Sequence, residues 1–284
     1  MKVGIGLPNQ VRDVRPSVIP EWASRAEKAG FSSLGTVGRT AYPGVMDTVA
    51  LAAAAGATHT IGLISNIMIA PAWPAALLAK EVAGIDGVSG NRLTLGLGLG
   101  GRPDDFVVGG LGPRGTGERL NRDLEVYQRV WRGDLVDGAE KPLVPAGTRD
   151  VPLLFGGFAP AALERMARWG MGYIGGSLPP EMVASSFDAA RLAWTEAGRE
   201  GSPRLVGIAY YVFDDVEQGR ADVRDYYGTV GEQLLEIVDR GICAGPDAVQ
   251  ATVRAYSELG ADELIFNPAL DDLDEVERLA GVIF

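Results

Sequence analysis

Short apolar segments alternate along the chain with segments in which apolar residues recur every three or four positions. The apolar segments are the shorter kind and lie at 2–8, 33–37, 60–70 and 92–99. Their length and continuity predict buried β-strands, and the spacing of the intervening segments predicts amphipathic helices. The helical segments of this first half lie at 17–30, 46–57 and 75–90. Strand and helix in regular alternation indicate a parallel sheet.

The alternation continues to the last residue. Further strands are predicted at 151–157, 171–176, 204–213 and 262–269, with a helical stretch over roughly 215 to 240. Residues 133–150 lack periodicity and hold two prolines, which predicts a loop excursion. Eight strands, each with a helix, predict an α/β fold of the (β/α)8 TIM-barrel type that spans residues 1–284 as one domain. A doubly wound sheet, which usually has fewer strands, is the alternative.

Charge and composition limit the classes of molecule that the protein is expected to bind. The net charge of -11 argues against nucleic acid and anionic membrane surfaces, both of which bind positive fields. No apolar run reaches membrane-spanning length, and the N-terminal residues lack the pattern of a signal peptide, so a cytoplasmic protein with a small-molecule substrate is expected.

The single histidine and single cysteine do not suggest a metal site or a thiol enzyme. His59 lies between a helix end and a strand start, hence at the N-terminal face of a barrel, where active sites are not found. Cys243 is expected to be a packed residue.

Four stretches in this order resemble the bacterial-luciferase-like monooxygenase family of flavin- or deazaflavin-dependent TIM-barrel oxidoreductases. They are VALAAAAGATHTIGLISNIMIAP (49–71), LLAKEVAGIDGVSGNRLTLGLGLGGRPDDF (77–106), VPLLFGGFAPAALERMARWGMGYIGG (151–176) and GPDAVQATVRAYSELGADELIF (245–266). The second stretch, with its glycine-alternating strand, is the most specific.

The resemblance implies a cofactor, either coenzyme F420 or FMN, at the C-terminal mouth of the barrel, and a homodimer. The phosphate of the cofactor would bind at Gly156, Gly157 and Phe158. Two glycines and a proline at a helix start leave backbone amides there free for an anion. The remaining residues implied for the cofactor are Ser65, Asn66, Ile67, Gly100, Gly101 and Gly175. Family members carry a bulge and a non-prolyl cis peptide in the third strand, which falls here at Asn66–Ile67.

Two positions depart from the family. Gly38 and Arg39 occupy the places where many members have an acidic residue and a histidine, so the usual acid–base histidine is missing. Arg39 stays charged at any working pH, which predicts an electrostatic role, with a surface loop arginine as the alternative. Gly101 replaces a bulky or acidic residue and leaves the pocket wider. By resemblance, Asp104 would contact the edge of the cofactor ring, so Arg39 and Asp104 are the candidate catalytic residues.

Several polar and aromatic residues follow strand ends and are candidates for a substrate pocket: Asn9, Gln10, Tyr42, Trp73 and Tyr173. Trp73 could equally pack in the core. Two chemistries remain open, hydride transfer with F420, which the open glycine-rich site favours, and oxygenation with reduced FMN. A flavin-binding or storage protein without catalysis is a third hypothesis. A Schiff-base aldolase lacks a suitably placed lysine.

The glycines at 96, 98 and 101 match the dinucleotide fingerprint G-x-G-x-x-G. A true fingerprint passes directly into a helix, whereas Arg102–Pro103 and a glycine-rich stretch up to Gly117 follow here, so this segment is predicted to be the fourth barrel strand and a wall of the cofactor pocket.

Overall fold

Eight parallel strands close into a barrel in the computed structural model, which describes residues 1–229 and 231–284. The barrel strands are β1 (Lys2–Gly6), β2 (Ser33–Thr36), β3 (Gly62–Ser65), β5 (Leu93–Gly98), β6 (Leu153–Gly156), β7 (Gly172–Ile174), β8 (Arg204–Val212) and β10 (Glu263–Pro268). β1 pairs with both β2 and β10, and β10 pairs with β8, which closes the ring. The predicted (β/α)8 TIM barrel is therefore confirmed.

Helices surround the barrel and connect successive strands. They are α1 (Val18–Ala29), α2 (Asp47–Ala57), α3 (Ala75–Ser89), α4 (Asp104–Val107), α5 (Thr116–Trp131), α6 (Pro160–Trp169), α7 (Pro180–Glu196), α8 (Val216–Tyr227), α9 (Glu232–Arg240), α10 (Pro246–Glu258) and α11 (Asp274–Ile283). In the described part of the chain, no helix is long and apolar enough to cross a membrane. The excursion over 133–150 has neither helix nor strand, as predicted.

Alternation along each strand divides the interior into two layers. Alternate side chains of each strand point outward and pack beneath the helices, and those between them point inward and fill the barrel. The six buried residues at the centre of the barrel are Ile64, Leu154, Ile174, Val206, Ile208 and Ile265. Because every strand is parallel, all carboxyl ends meet at one mouth, where the site is expected.

Four segments differ from the prediction. The third strand is not continuous over 60–70: after β3 it bulges, and the chain resumes as β4 (Met68–Ile69), which pairs with β5. The Asn66–Ile67 peptide is cis, as the resemblance implied. The stretch 215–240 is two helices, since Gly228 ends α8 and Gly231 precedes α9.

The third difference is α4, which lies in the stretch predicted to be loop. Pro103, with a φ of -62°, precedes it, and two aspartates occupy its first turn, which favours a helix start. A short strand, β9 (Cys243–Ala244), was also not predicted and extends the edge of β8.

Candidate active site

Three polar side chains point into the barrel at its mouth and form a floor: Asn66 after β3, Tyr210 on β8 and Asn267 on β10. Asn66 Nδ2 donates to Asn267 Oδ1 at 3.2 Å, and Asn267 is in register with Tyr210. All three residues are buried. Asn66 Oδ1, Asn267 Nδ2 and Tyr210 Oη nevertheless have no hydrogen-bond partner among the described residues. Buried polar atoms without partners are costly, so the floor is suited to a ligand with polar edges.

Beside the floor, glycines make room for the half-buried side chain of Ile67. A Cβ at Gly98 would overlap the Ile67 side chain, and a Cβ at Gly156 would lie 3.3 Å from it. Gly100, at φ +71°, would place a Cβ 2.7 Å from Ile69. Only residues without a side chain let these strand ends approach Ile67 and Ile69 so closely.

The turn from β6 to α6 has the geometry of an anion site. Gly157 adopts a φ of +129°, and Pro160 opens the helix. In residues 1–229 and 231–284, the amides of Gly157, Phe158 and Ala159 donate no hydrogen bond. Free amides at a helix N-terminus bind phosphate, and all four residues from Gly157 to Pro160 are exposed.

An apolar groove of about 430 Å³ adjoins this turn. Tyr173 lines the groove and donates from its hydroxyl to the Gly157 carbonyl at 3.0 Å. The exposed Phe158 ring lies over Gly176, where a Cβ would come within 2.9 Å of it.

Arg39 lies inside the protein and not on its surface, which excludes the alternative of a surface loop arginine. Its side chain is 4% exposed and pairs with Asp104 at 2.7 Å and with Asp105 at 3.3 Å. Asp105 is fully buried and also accepts from the amides of Thr40 at 2.9 Å and Ala41 at 2.8 Å. The two aspartates, adjacent on α4, thus hold the loop that follows β2.

A roof covers one half of the mouth, and we define it as Arg39, Arg102, Tyr226 and Tyr227. The Tyr226 carbonyl at the end of α8 accepts from Arg102 at 3.0 Å and from Arg39 at 3.4 Å. The Arg102 guanidinium stacks on both tyrosine rings, 5.0 and 5.3 Å from their centroids. The roof therefore joins the ends of β2 and β5 to the helix after β8.

A buried carboxylate lies beneath the roof at the first residue of α2. Asp47 accepts one long hydrogen bond, from Asn9 Nδ2 at 3.4 Å, and its carboxylate fills the space that a side chain at position 38 would take. Burial raises the pKa of Asp47 to about 7. Gly38 is therefore required here, because any Cβ would displace this carboxylate.

The structure moves several predicted pocket residues into other roles. Asn9 is buried and donates to the carbonyls of Val37 and Val45, so it supports the loop after β2. Tyr173 faces outward beside the turn from β6 to α6 and not into the mouth. Trp73 packs against the core, the alternative considered for it.

Of the other predicted site residues, some lie at the mouth and some have structural contacts elsewhere. Gly175 faces α7, since its Cβ would lie 2.8 Å from Val183. Ser65 donates to the Gly96 carbonyl at 2.8 Å and joins β3 to β5. Gln10 lies at the mouth, where Nε2 donates to the Pro268 carbonyl at 2.6 Å and Oε1 finds no partner in the described chain. Tyr42 extends the roof, with its hydroxyl 2.9 Å from Asp225.

Gly101 lies open at the mouth, with no atom of the described residues within 4 Å of a Cβ placed there. Outside the site, His59 is exposed at the N-terminal side and Cys243 is buried, as expected.

The sequence reasoning missed Tyr210, Asn267, Arg102, Asp47 and Tyr226. Two of them carry a signal that could have been used: Tyr210 and Asn267 are polar groups at inward positions of predicted strands, near the carboxyl end. The other three depend on loops and helix ends that meet only in the folded barrel.

Comparisons with known proteins agree with this architecture. A family model described as luciferase-like monooxygenase matches residues 1–264. An uncharacterised protein of Mycobacterium tuberculosis is 31% identical over 206 residues, which cover 62% of this chain and 71% of that protein.

Two solved structures share the fold. An F420-dependent secondary alcohol dehydrogenase in complex with an F420–acetone adduct has a TM-score of 0.79 and 17% identity, covering 99% of this chain and 98% of that chain. The oxygenating constituent of 3,6-diketocamphane monooxygenase from Pseudomonas putida, in complex with FMN, has a TM-score of 0.75 and 16% identity, covering 100% and 96%. With the family model matched over most of its length, the chain belongs to the luciferase-like monooxygenase family.

Proposed function

We propose that this protein is an oxidoreductase that binds coenzyme F420 across the barrel mouth and transfers a hydride to or from a small organic substrate. One observation carries the choice of F420: the phosphate turn from Gly157 to Pro160 is exposed along its whole length. The phosphate of F420 is a diester that continues into a long anionic tail, and the tail needs an exit into solvent.

The residues present fit such a group in three places. The open tip at Gly101 leaves room for a ring, and the two floor asparagines offer one unpaired donor and one unpaired acceptor to the polar edge of that ring. The free amides at the start of α6 suit the phosphate. When bound, F420 supplies a ring carbon that accepts or gives up a hydride.

The chain's own residues position the reactants. Asn66 and Asn267 would orient the ring through their unpaired amide atoms, and the roof would exclude water from the side on which the substrate lies. Arg39 fixes the loop after β2 through Asp105 and acts as a positioning residue, because its hydrogen bonds are already used within the protein. Asp104 shares this ion pair, so we assign it the same role.

Oxygenation with reduced FMN is the second candidate. The roof favours it, since an oxygenating flavin requires a site shielded from water. The exposed phosphate turn argues against it, because the terminal phosphate of FMN would gain fewer contacts at an open turn.

Titration of the purified protein with F420 and with FMN, followed by fluorescence, tests the proposal. We expect micromolar binding of F420 and at least about tenfold weaker binding of FMN, a difference of about 1.4 kcal/mol. Tighter binding of FMN would favour the second candidate, and binding of neither would refute both. Binding of F420 without turnover across a broad panel of alcohols, aldehydes, ketones, enones and acids would support a storage protein instead.

A pair of variants locates the phosphate. Ala159→Asp and Ala159→Asn both place a good capping side chain before α6, so both should fold. Only the aspartate adds a negative charge, and we expect it to weaken F420 binding by about tenfold more than the asparagine does. Equal affinities would remove the phosphate from this turn.

A further inference from the structure

We propose that the roofed half of the mouth binds the acidic group of the substrate, a carboxylate or comparable oxyanion, through Arg102 Nε and Tyr210 Oη. This inference rests on the proposed function, because the molecule that would lie there is the one oxidised or reduced beside the cofactor. It adds a substrate class, a small organic acid with an apolar body.

Arg102 is the arginine of the roof whose charge has no carboxylate partner. Neither Asp104 nor Asp105 pairs with it, since both bind Arg39, and across the described ranges 1–229 and 231–284 it forms no ion pair. One terminal nitrogen donates to the Tyr226 carbonyl at 3.0 Å, and its Nε is buried without a partner. A guanidinium held in place by two aromatic rings and left with a free donor is prepared for an anion.

Tyr210 supplies a second donor from the barrel wall. Its side chain is fully buried within the mouth, and its hydroxyl has no partner in the described part of the chain. Burial raises the pKa of Tyr210 well above its ordinary value, the neighbouring side chains of Tyr227 and Tyr226 raise it further, and the positive charge of Arg102 lowers it by a smaller amount. The phenol therefore keeps its proton and lies within the electrostatic reach of the guanidinium.

The two residues are linked through Tyr227. Its ring lies 6.0 Å from the Tyr210 ring and 5.3 Å from the Arg102 guanidinium carbon. Two unpaired donors, Arg102 Nε and Tyr210 Oη, on side chains that both lie beside this ring suit a ligand group with several lone pairs.

Arg39 does not offer an equivalent site. Its nitrogens already donate to Asp104, Asp105 and the Tyr226 carbonyl. Tyr210 packs in an apolar cluster with Val212, Val223 and Ala269, and its ring lies edge-on to that of Tyr227. An acid attached to an apolar skeleton matches this combination of charge and surface.

Matched pairs of probes test the charge requirement. Acetate, hexanoate, benzoate and phenylacetate would each be titrated by calorimetry beside the corresponding neutral amide, with the F420-loaded protein and with the protein alone. We expect at least one acid to bind about tenfold or more tightly than its amide, as a charge-assisted hydrogen bond in a partly buried site provides.

Variants test which residues cause the preference for an acid over its amide. Arg102→Gln should abolish the preference for the acid, Arg102→Lys should retain part of it, and Tyr210→Phe should weaken the acid several-fold while the amide changes less. Arg168→Gln is the matched control, because Arg168 also stacks on an aromatic ring, Trp169 at 4.2 Å, but lies on the outer helix α6.

The outcomes separate this inference from the proposed function. Unchanged F420 affinity in Arg102→Gln together with a lost acid preference supports the inference. Loss of F420 affinity in that variant would assign Arg102 to the cofactor and overturn it. An absence of acid preference in all four pairs would also overturn it, whereas the proposed function would still stand if F420 binds and turns over.

Discussion

Asn66 donates from Nδ2 to Oδ1 of Asn267 at 3.2 Å across the floor of the barrel mouth. Each side chain keeps one buried polar atom that no described residue satisfies. The pair is therefore incomplete within the protein alone, and its energetics should depend on both members together.

Replacing one asparagine of this pair should lower the free energy of unfolding by more than half of the amount that replacing both lowers it. Asn267→Leu leaves both polar ends of Asn66 buried and unpaired, which should lower the free energy of unfolding by about 1 to 3 kcal/mol. Removing both amides leaves no unpaired group, so Asn66→Leu combined with Asn267→Leu should be less destabilising than the sum of the single changes. Urea denaturation of the ligand-free protein gives this cycle, and strict additivity would contradict it.

Asp47 should make stability depend on pH. Its pKa of about 7 in the folded protein lies above the ordinary value of 3.8, so the folded state favours the protonated form. The contribution of this group is fully present below about pH 4, is lost progressively as the pH rises towards 7, and is absent above that. Asp47→Asn should therefore raise the free energy of unfolding at pH 8, by up to about 4 kcal/mol, and have little effect at pH 4.

The measurement is urea unfolding at a series of pH values. Asp137→Asn, an exposed aspartate in the loop before β6, is the control and should leave the profile unchanged. A parallel shift of Asp47→Asn at all pH values would show that the carboxyl does not titrate differently in the folded state.

Loss of the Arg39 side chain should cost far more stability than loss of the Asp104 charge, although Asp104 and the buried Asp105 are neighbours on α4. Asp105 is fully buried against Arg39 and two amides, whereas the Asp104 side chain is 48% exposed. Arg39→Met would leave a buried carboxylate without its counter-charge and should cost about 3 to 5 kcal/mol. Asp104→Asn should cost less than about 1 kcal/mol, as for an exposed ion pair. Thermal unfolding compares the two, and similar losses would show that burial does not determine the value of this pair.

Among the glycines of β5 and the loop that follows it, some should be required for the stability of the barrel and others should not. A Cβ at Gly96 would overlap the backbone oxygen of Ser65 and lie 2.6 Å from Ile174, whereas no described atom lies within 4 Å of a Cβ at Gly101. Gly96→Ala should therefore destabilise the barrel by about 1 to 3 kcal/mol or more, and Gly101→Ala should be nearly neutral. Circular dichroism melting curves of the two variants decide this, and equal melting temperatures would refute it.

Gly157 offers a test of charge at constant backbone strain. Its φ of +129° makes any side chain unfavourable, so Gly157→Asp and Gly157→Asn suffer alike from the backbone and differ only in charge. We expect the aspartate variant to bind F420 about tenfold more weakly than the asparagine variant, because it repels the phosphate. Fluorescence titration measures both, with circular dichroism as the check on folding.

The architecture could be predicted from the sequence because strand and helix periodicities report burial directly. The eight-strand rhythm, the excursion at 133–150 and the glycine turn at Gly156–Gly157 all depend on local patterns, whereas the phosphate assigned to that turn rests on the family resemblance and stays a prediction. The bulge after β3 interrupts one of these patterns, so the predicted strand over 60–70 was too long.

The side-chain partners of the site could not be predicted in the same way. Arg39 meets Asp105 from 66 positions away, and the Tyr226 carbonyl accepts from Arg39 across 187 positions. Such contacts depend on how loops fold over the mouth, which periodicity does not encode. Tyr173 and Gly175 point outward for a different reason: they alternate with Ile174, which faces into the barrel, although their position along the chain suggested the pocket.

The acceptor that binds the two roof arginines belongs to the backbone, at the last turn of α8. Carbonyls in that turn are free because the helix stops there. No substitution at position 226 short of one that changes the helix end can remove this acceptor, and extending α8 by one further turn would use it for an intrahelical bond. A longer α8 would therefore take this acceptor from both arginines, and Arg102 would lose more by it, because Arg39 would still be paired with Asp104 and Asp105.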